Sequence, residues 1–309
     1  MVALQRAIEL ELFTIPLYLT AAWSIEDQEH DAADLIREVA VEEMFHMALA
    51  CNMLSTLGGT PEIATPTAAP RYPGPLPGNV HPELVNLTPQ ALSKDLLLNV
   101  FMKIEEPDWK PVVTALAAGV YYKTIGAFYQ AVQDAFDKLS AADFNQRLQL
   151  KRDSRLFPIK SAADARRAID QIRLQGEGTA QTPIKAGQEP AHYYEFAQLW
   201  HEKRVAAKGG HWIYDPAQPF PMPSDLFPMA PVPDGGYAKS RKFDGQYSDL
   251  LRALQAAWSA ADAATGNQKL QDAINSMYDL ADPARTLMQS PIPGGAGNFG
   301  PSFQFVPAS

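Results

Sequence analysis

The stretch that most constrains this chain is Asp31 to Gly58, whose periodicity predicts one long helix. Ile36, Val39, Ala50, Met53 and Leu57 recur at steps of three and four, and the two gaps in the series are filled by Glu43 and His46. A carboxylate and an imidazole therefore fall on the face that must be buried. An ionised group is costly to bury unless it is paired, neutralised or bound to a cation. An ordinary buried ion pair would meet that demand, and so would a metal. Glu42 lies one step off the seam, as a flanking group.

From Met1 a second seam runs through Leu4, Ile8, Ile15, Tyr18 and Ala22, with Glu11 in its remaining slot and Glu9 off it. Pro16 withholds the N–H that the Leu12 carbonyl would receive, which predicts a kink just after Glu11. Two helices thus each turn a carboxylate inward. The pair Glu43-x-x-His46 has the i, i+3 spacing with which four-helix di-iron carboxylate proteins hold metal.

Gly58-Gly59 caps the long helix, and Thr60 to Pro89 is a Pro- and Gly-rich loop expected to act as a lid or wrapping arm. Ala91 to Glu106 reads as a third helix with Glu105 inward and Glu106 on a polar face, ended by Pro107. Val112 to Leu139 is expected as a fourth helix, its seam from Tyr121 to Leu139 offering packing and no metal ligand beyond a phenol. A fifth starts at Ser161 and runs to Gly176. Glu177, between two glycines, reads most simply as a solvated i, i+4 partner of Arg173. A sixth begins at Pro190 and places His192 on an apolar stripe, either as a ligand or as a satisfied core histidine, the latter being the plainer reading. Gly209 to Gly236 is irregular, Tyr247 to Trp258 and Lys269 to Met288 are two more helices, and a Pro/Gly tail begins at Ser290.

A net charge of -9 argues against nucleic acid as a partner, because phosphate binding needs concentrated Lys and Arg. The single cysteine, Cys51, excludes an internal disulfide framework and reads as a small core residue. The apolar run Leu12 to Trp23 is too short to span a bilayer and lacks the flanks of an export signal, so the expected location is cytoplasmic, with no membrane partner. There is no phosphate loop and no nucleophile elbow.

Six ordered blocks carry a resemblance: LELFTIPLYLTAAWSI, VEEMFHMALACNMLSTLGGTP, FMKIEEP, TIGAFYQAV, QGEGT and HYYEF. Together they resemble the ferritin-like domain of the iminophenyl-pyruvate dimer synthase group, which includes a region of the enzymes that couple indole-3-pyruvate imines. The match runs in order to the GPSFQF tail. The resemblance implies an iron-type site and carries over to Glu11, Glu43, His46 and Glu105, and also to Glu177 and His192, which periodicity leaves undecided. Two departures stand out. The TIGxFY block often carries glutamate where this chain has Ala127, and the pigment enzymes have a region this chain lacks.

The expected fold is all-α: a ferritin-like bundle over 1–207, with long Pro-rich loops and an appended C-terminal helical segment over 208–309 packed on it. The expected function is that of a non-haem, di-iron oxidoreductase acting on a small, amino-acid-derived metabolite, with manganese as the other candidate ion and one or two ions bound. A mixed Glu/His site with open positions suits these metals better than structural zinc. Tyr18 and Tyr121 are candidates to line an aromatic-substrate pocket, and packing is the plainer role for both. No catalytic residue is assigned. Iron storage is the alternative function, and a homodimer is left open.

Overall fold

The computed structural model describes residues 1–107, 122–179, 182–185 and 189–307. Its centre is a helical hairpin of α1 (Val2–Trp23) and α2 (Asp31–Thr56), the most extensively packed pair of helices. From Ala7 to Trp23 every residue of α1 is buried, so this helix is enclosed on all sides rather than amphipathic. Pro16 lies inside α1 without ending it. The His30 imidazole caps α2 by accepting from the Ala32 N–H, and Gly58, at φ 87°, takes the left-handed turn that closes it.

The third helix, α3, has α-helical ends at Lys94–Leu96 and Met102–Ile104 around a π-helical turn at Leu97–Phe101. The Met102 N–H reaches back to the Leu97 carbonyl across this wider turn. A π turn rotates everything beyond it relative to a regular helix. Hence Leu98 is exposed although a regular helix would align it with Glu105, which is buried. The fourth helix, α4 (Ile125–Phe136), starts from a Thr124 cap. It begins later than the sequence suggests, because Tyr122 is bridged to Val80 in extended structure. The expected helical stretch before it, with Tyr121, lies outside the described residues. α5 (Ala162–Glu177) is capped by Ser161, which accepts from the Asp164 N–H, and it keeps helical geometry through Glu177 before Gly178 turns away at φ 71°. α6 (His192–His201) follows.

An all-α fold is not fully realised. Lys203–Lys208 (β1) and His211–Pro219 (β2) form an antiparallel hairpin, so Gly209 to Gly236 does not begin as irregular chain. Gly209 and Gly210, at φ 59° and 80°, supply the two left-handed residues of a tight hairpin turn. The C-terminal part holds α7 (Arg241–Trp258), α8 (Ala263–Tyr278) and α9 (Ala281–Met288). The single helix expected over Lys269 to Met288 is thus two, broken at Asp279 and Leu280.

These helices are tied to the hairpin of α1 and α2. Trp258 donates its indole N–H to Asn52 on α2, Arg285 donates to the carbonyls of Trp23 and Ile25, and Phe303 of the tail stacks on Trp23 and meets Phe243 and Tyr247 edge to face. Thr60 to Pro89 wraps α1, where the Tyr72 hydroxyl donates to the Phe13 carbonyl, and reaches α7, where Gln255 accepts from the Ile63 and Ala64 N–H groups. Among the described residues no helix is long and apolar enough to cross a membrane.

Candidate metal centre

Five of the six candidate ligands converge on one buried point. α1 supplies Glu11, α2 supplies Glu43 and His46, the end of α3 supplies Glu105, and the first turn of α6 supplies His192, each at most 5% exposed. Their donor atoms fall into two overlapping groups, Glu11–Glu43–His46 and Glu43–Glu105–His192, and within each group the atoms lie within 4.8 Å of one another. Glu43 belongs to both.

The imidazoles are arranged alike. His46 sets Nδ1 3.4 Å from Glu43 Oε2 while its Nε2 lies 3.0 Å from Gln175 Oε1. His192 sets Nδ1 2.8 Å from Glu43 Oε1 and 3.7 Å from Glu105 Oε2, while Nε2 donates to Glu42 at 2.7 Å. An imidazole held at its outer nitrogen by an acceptor, with the inner nitrogen left for a metal, is the usual way a protein orients a histidine ligand. The inner nitrogen of His192 is fully buried and makes no hydrogen bond of acceptable geometry. Such an orphan is expensive in an ordinary core, and a cation between the carboxylates would satisfy it. The donor set therefore fits a metal of the iron or manganese type.

Two tyrosines hold the outer carboxylates. Tyr129 on α4 donates to Glu11, and Tyr18 on α1 donates to Glu105 at 2.6 Å. Tyr18 also packs against Phe101 and Phe196, so it buttresses the site instead of lining an aromatic-substrate pocket. Burial, with the Glu43 charge behind it, pushes Glu11 well above the usual carboxylate range. Burial acts on Glu43 in the same sense, but His46 and His192 outweigh it and hold Glu43 well below that range. Burial opposes the charge of His192, yet Glu105, Glu42 and Glu43 raise it well above an ordinary imidazole.

Glu177 was expected at the surface with Arg173 if it were not a ligand, and the structure corrects that pairing. The side chain is buried and lines the same cavity as Glu11, Glu43, His46 and Glu105, while Arg173 donates to Gln130. Its carboxylate occupies the space over Gly126, where a Cβ would lie 2.0 Å from Oε1. It stands outside the two close donor groups. Ala127 is packed in the core.

Beyond the ligands stands a further layer, in which Glu42 was legible as a flanking group while Lys185, Gln175 and Tyr129 were not. Glu42 accepts from His192 and from Lys185 at 2.8 Å, and buried Lys185 also meets Glu195 at 3.3 Å. Burial works against the Glu42 charge, but His192 and Lys185 hold it down at about 2. Gln175 and Tyr129 lay within noted motifs, yet hydrogen bonding across helices has no periodic signature. Lys185 sits in irregular chain and carries no signal at all.

The Pro-rich segments do not cover this centre. Among the described residues the cavity is lined by α1, α2, α4, α5 and the end of α3, and its volume is about 10 Å³, enough for the centre of about one water molecule. Thr60 to Pro89 and Gly209 to Gly236 contribute nothing to its lining, so the ring-sized pocket they were expected to form beside His46 is not seen among the described residues. Their own polar groups are spent elsewhere, on α1, on α7, and on the Ser24 and Glu26 backbone.

A family model described as Ferritin-like matches residues 4–201, which carry every residue of this centre. The chain belongs to the ferritin-like family. Among solved structures it is similar to a crystal structure of a ferritin-like protein from Caulobacter vibrioides, at TM-score 0.68 and 20% identity, over 99% of this chain and 96% of that one. At that identity the likeness is one of fold. No curated protein matches the sequence. In this ferritin-like chain the hairpin and sheetless core lie within the matched range, and helices α7 to α9 lie beyond it.

Proposed function

We propose that this ferritin-like chain is a non-haem metal-dependent oxidoreductase with a dinuclear iron centre, manganese being the other ion its donors suit. The observation that supports this reading best is the shared position of Glu43 between two donor groups. Glu43 would serve both donor groups, with Glu11 and His46 completing one and Glu105 and His192 the other, and Glu177 lines the same cavity. The bound metal would supply redox chemistry with dioxygen or peroxide.

The chain's own contribution is positional. Tyr18 and Tyr129 orient Glu105 and Glu11, Gln175 and Glu42 orient the imidazoles, and the small cavity leaves little room for water beside the reacting atoms. The finer reading, action on a small aromatic, amino-acid-derived metabolite in the manner of the iminophenyl-pyruvate dimer synthases, rests on the six sequence blocks. The small cavity favours a second reading, iron binding or storage, which needs no organic pocket.

Metal analysis of protein purified without chelators or metal affinity, followed by oxygen uptake with and without an arylpyruvate-derived imine, tests the proposal. Two ions per chain with substrate-dependent oxygen consumption is the expected result. Iron uptake beyond two per chain without substrate turnover would replace the enzyme with a storage protein, and protein that takes up no metal would end both.

A further inference from the structure

The two donor groups of the metal centre are matched in all but one respect. Each contains Glu43, a second carboxylate that a tyrosine holds, and one imidazole. What differs is the group behind the imidazole. The outer nitrogen of His46 meets the neutral amide of Gln175, whereas that of His192 donates to the Glu42 carboxylate, and behind Glu42 stands the buried cation of Lys185.

The backbone fixes where that cation lies. The Lys185 N–H donates to the Glu189 carbonyl, Ile184 and Pro190 form an antiparallel bridge, and the Ala191 N–H donates to the Pro183 carbonyl, so residues 182–185 are tied to the entrance of α6. From there the Lys185 ammonium donates to Glu42 Oε2 at 2.8 Å, the same oxygen that accepts His192 Nε2 at 2.7 Å, and it meets Glu195 Oε1 at 3.3 Å. Exposed Glu189, at 3.8 Å, adds little. His192 and Glu195 stand three residues apart on α6, so one face of that helix presents both the imidazole and the carboxylate that steadies the lysine. The four side chains close a ring. Of these, Glu42 has the most access to solvent, at 17% of its side chain against 4% for Lys185, 6% for Glu195 and none for His192. Without the ammonium it is the member free to turn out to water.

We infer that Lys185 is the positioning residue of His192: by pinning Glu42 against Nε2 it keeps Nδ1 facing Glu43 and Glu105, and so makes the Glu43–Glu105–His192 group the tighter of the two metal positions. The inference rests on the proposed dinuclear centre. An outer partner that orients an imidazole ligand is worth about 10–100-fold in metal affinity. The neutral amide behind His46 supplies less of this, because a charged acceptor holds an N–H more strongly than a neutral one.

Co(II) alone, titrated into metal-free full-length protein and followed by visible absorption, tests the inference. Wild type should take two ions in steps about tenfold or more apart in affinity. His192→Ala should remove the tight step and leave the weak one. Lys185→Met, which keeps the length of the side chain and drops its charge, should weaken the tight step about tenfold and leave the weak step unmoved. In the Co(II) protein it should also broaden the paramagnetically shifted N–H proton signal of His192, which exchanges with water once Glu42 turns away. A general loss of stability would weaken both steps together and leave that signal sharp. Should Lys185→Met fail to fold because Glu195 is left buried without its cation, Lys185→Met/Glu195→Gln removes that charge and carries the same test. Equal steps in wild type, loss of the weak step in His192→Ala, or a tight step that Lys185→Met leaves unchanged would each overturn the inference while the dinuclear centre stands. Wild type that takes up no Co(II) would overturn the centre, and the inference with it.

Discussion

Glu43 touches both donor groups, so its removal should differ in kind from removal of any other ligand candidate. In Glu43→Ala, metal content should fall from two ions per chain to none, while Glu11→Ala and Glu105→Ala should each retain about one, read by elemental analysis against protein concentration. A Glu43→Ala protein that keeps two ions would dismiss the shared role. Gly126 offers a sharper test of Glu177. Gly126 stands in the first turn of α4, where an added Cβ would meet the Glu177 carboxylate at 2.0 Å. Gly126→Ala should therefore lower the melting temperature and the metal content, and Glu177→Ala in the same chain should restore the melting temperature. A stabilised Gly126→Ala single variant would mean that Glu177 is not held against α4. At this scale Glu11, Glu43 and His46 were legible, because polar residues in an apolar seam violate the pattern that surrounds them. Glu177 was not, since its burial depends on the absence of a side chain on a different helix.

At the scale of elements, α7 carries a buried carboxylate with no ion-pair partner among the described residues. Asp244 accepts the Gln304 N–H, and burial pushes its carboxyl up to about 7. The ordinary value in an unfolded chain is about 3.9. The folded state thus holds this proton more tightly, so its contribution to stability is complete below about pH 4, is lost as the pH rises towards about 7, and changes no further above that. Over that window the loss should be on the order of 2–4 kcal/mol. Chemical denaturation of wild type and Asp244→Asn at pH 4.5 and 7.5, test conditions chosen to be about half a unit inside and outside that window, checks the sign. A wild-type stability that rises relative to Asp244→Asn between these points would refute it. The same scale shows how α3 turns Glu105 inward. A period of 3.6 places Leu98 and Glu105 in one line, whereas the π turn between them turns Leu98 outward and leaves Glu105 inward. The hairpin β1–β2 did have a sequence sign, the pair Gly209-Gly210, which composition-based reading of the following Pro-rich stretch obscured.

For the whole molecule, the tail and α7 to α9 close over the α1–α2 hairpin through Phe303, Trp258 and Arg285. We expect residues 1–207 and 208–309 to unfold together, in one transition seen alike by tryptophan fluorescence and far-ultraviolet circular dichroism. Phe303→Ala should lower stability by about 3–5 kcal/mol, as for other buried aromatic truncations. Two separated transitions, or a loss below about 1 kcal/mol, well under that range, would show that the C-terminal part is an independent unit.

The sequence by itself determined the helices that carry the site and which of their faces turn inward, because amphipathic period and buried charge are local properties read along one strand of chain. It also raised the expectation that α1 and α2 share a centre, since each brings to a buried face a carboxylate that must be paired, neutralised or bound to a cation. Only the tertiary structure decided that Glu43 stands between two donor groups, that tyrosines from α1 and α4 hold the outer carboxylates, and that the Pro-rich segments brace the C-terminal helices instead of covering the metal centre. Those facts depend on which helices meet and at what rotation. Packing sets that, and no single helix encodes it.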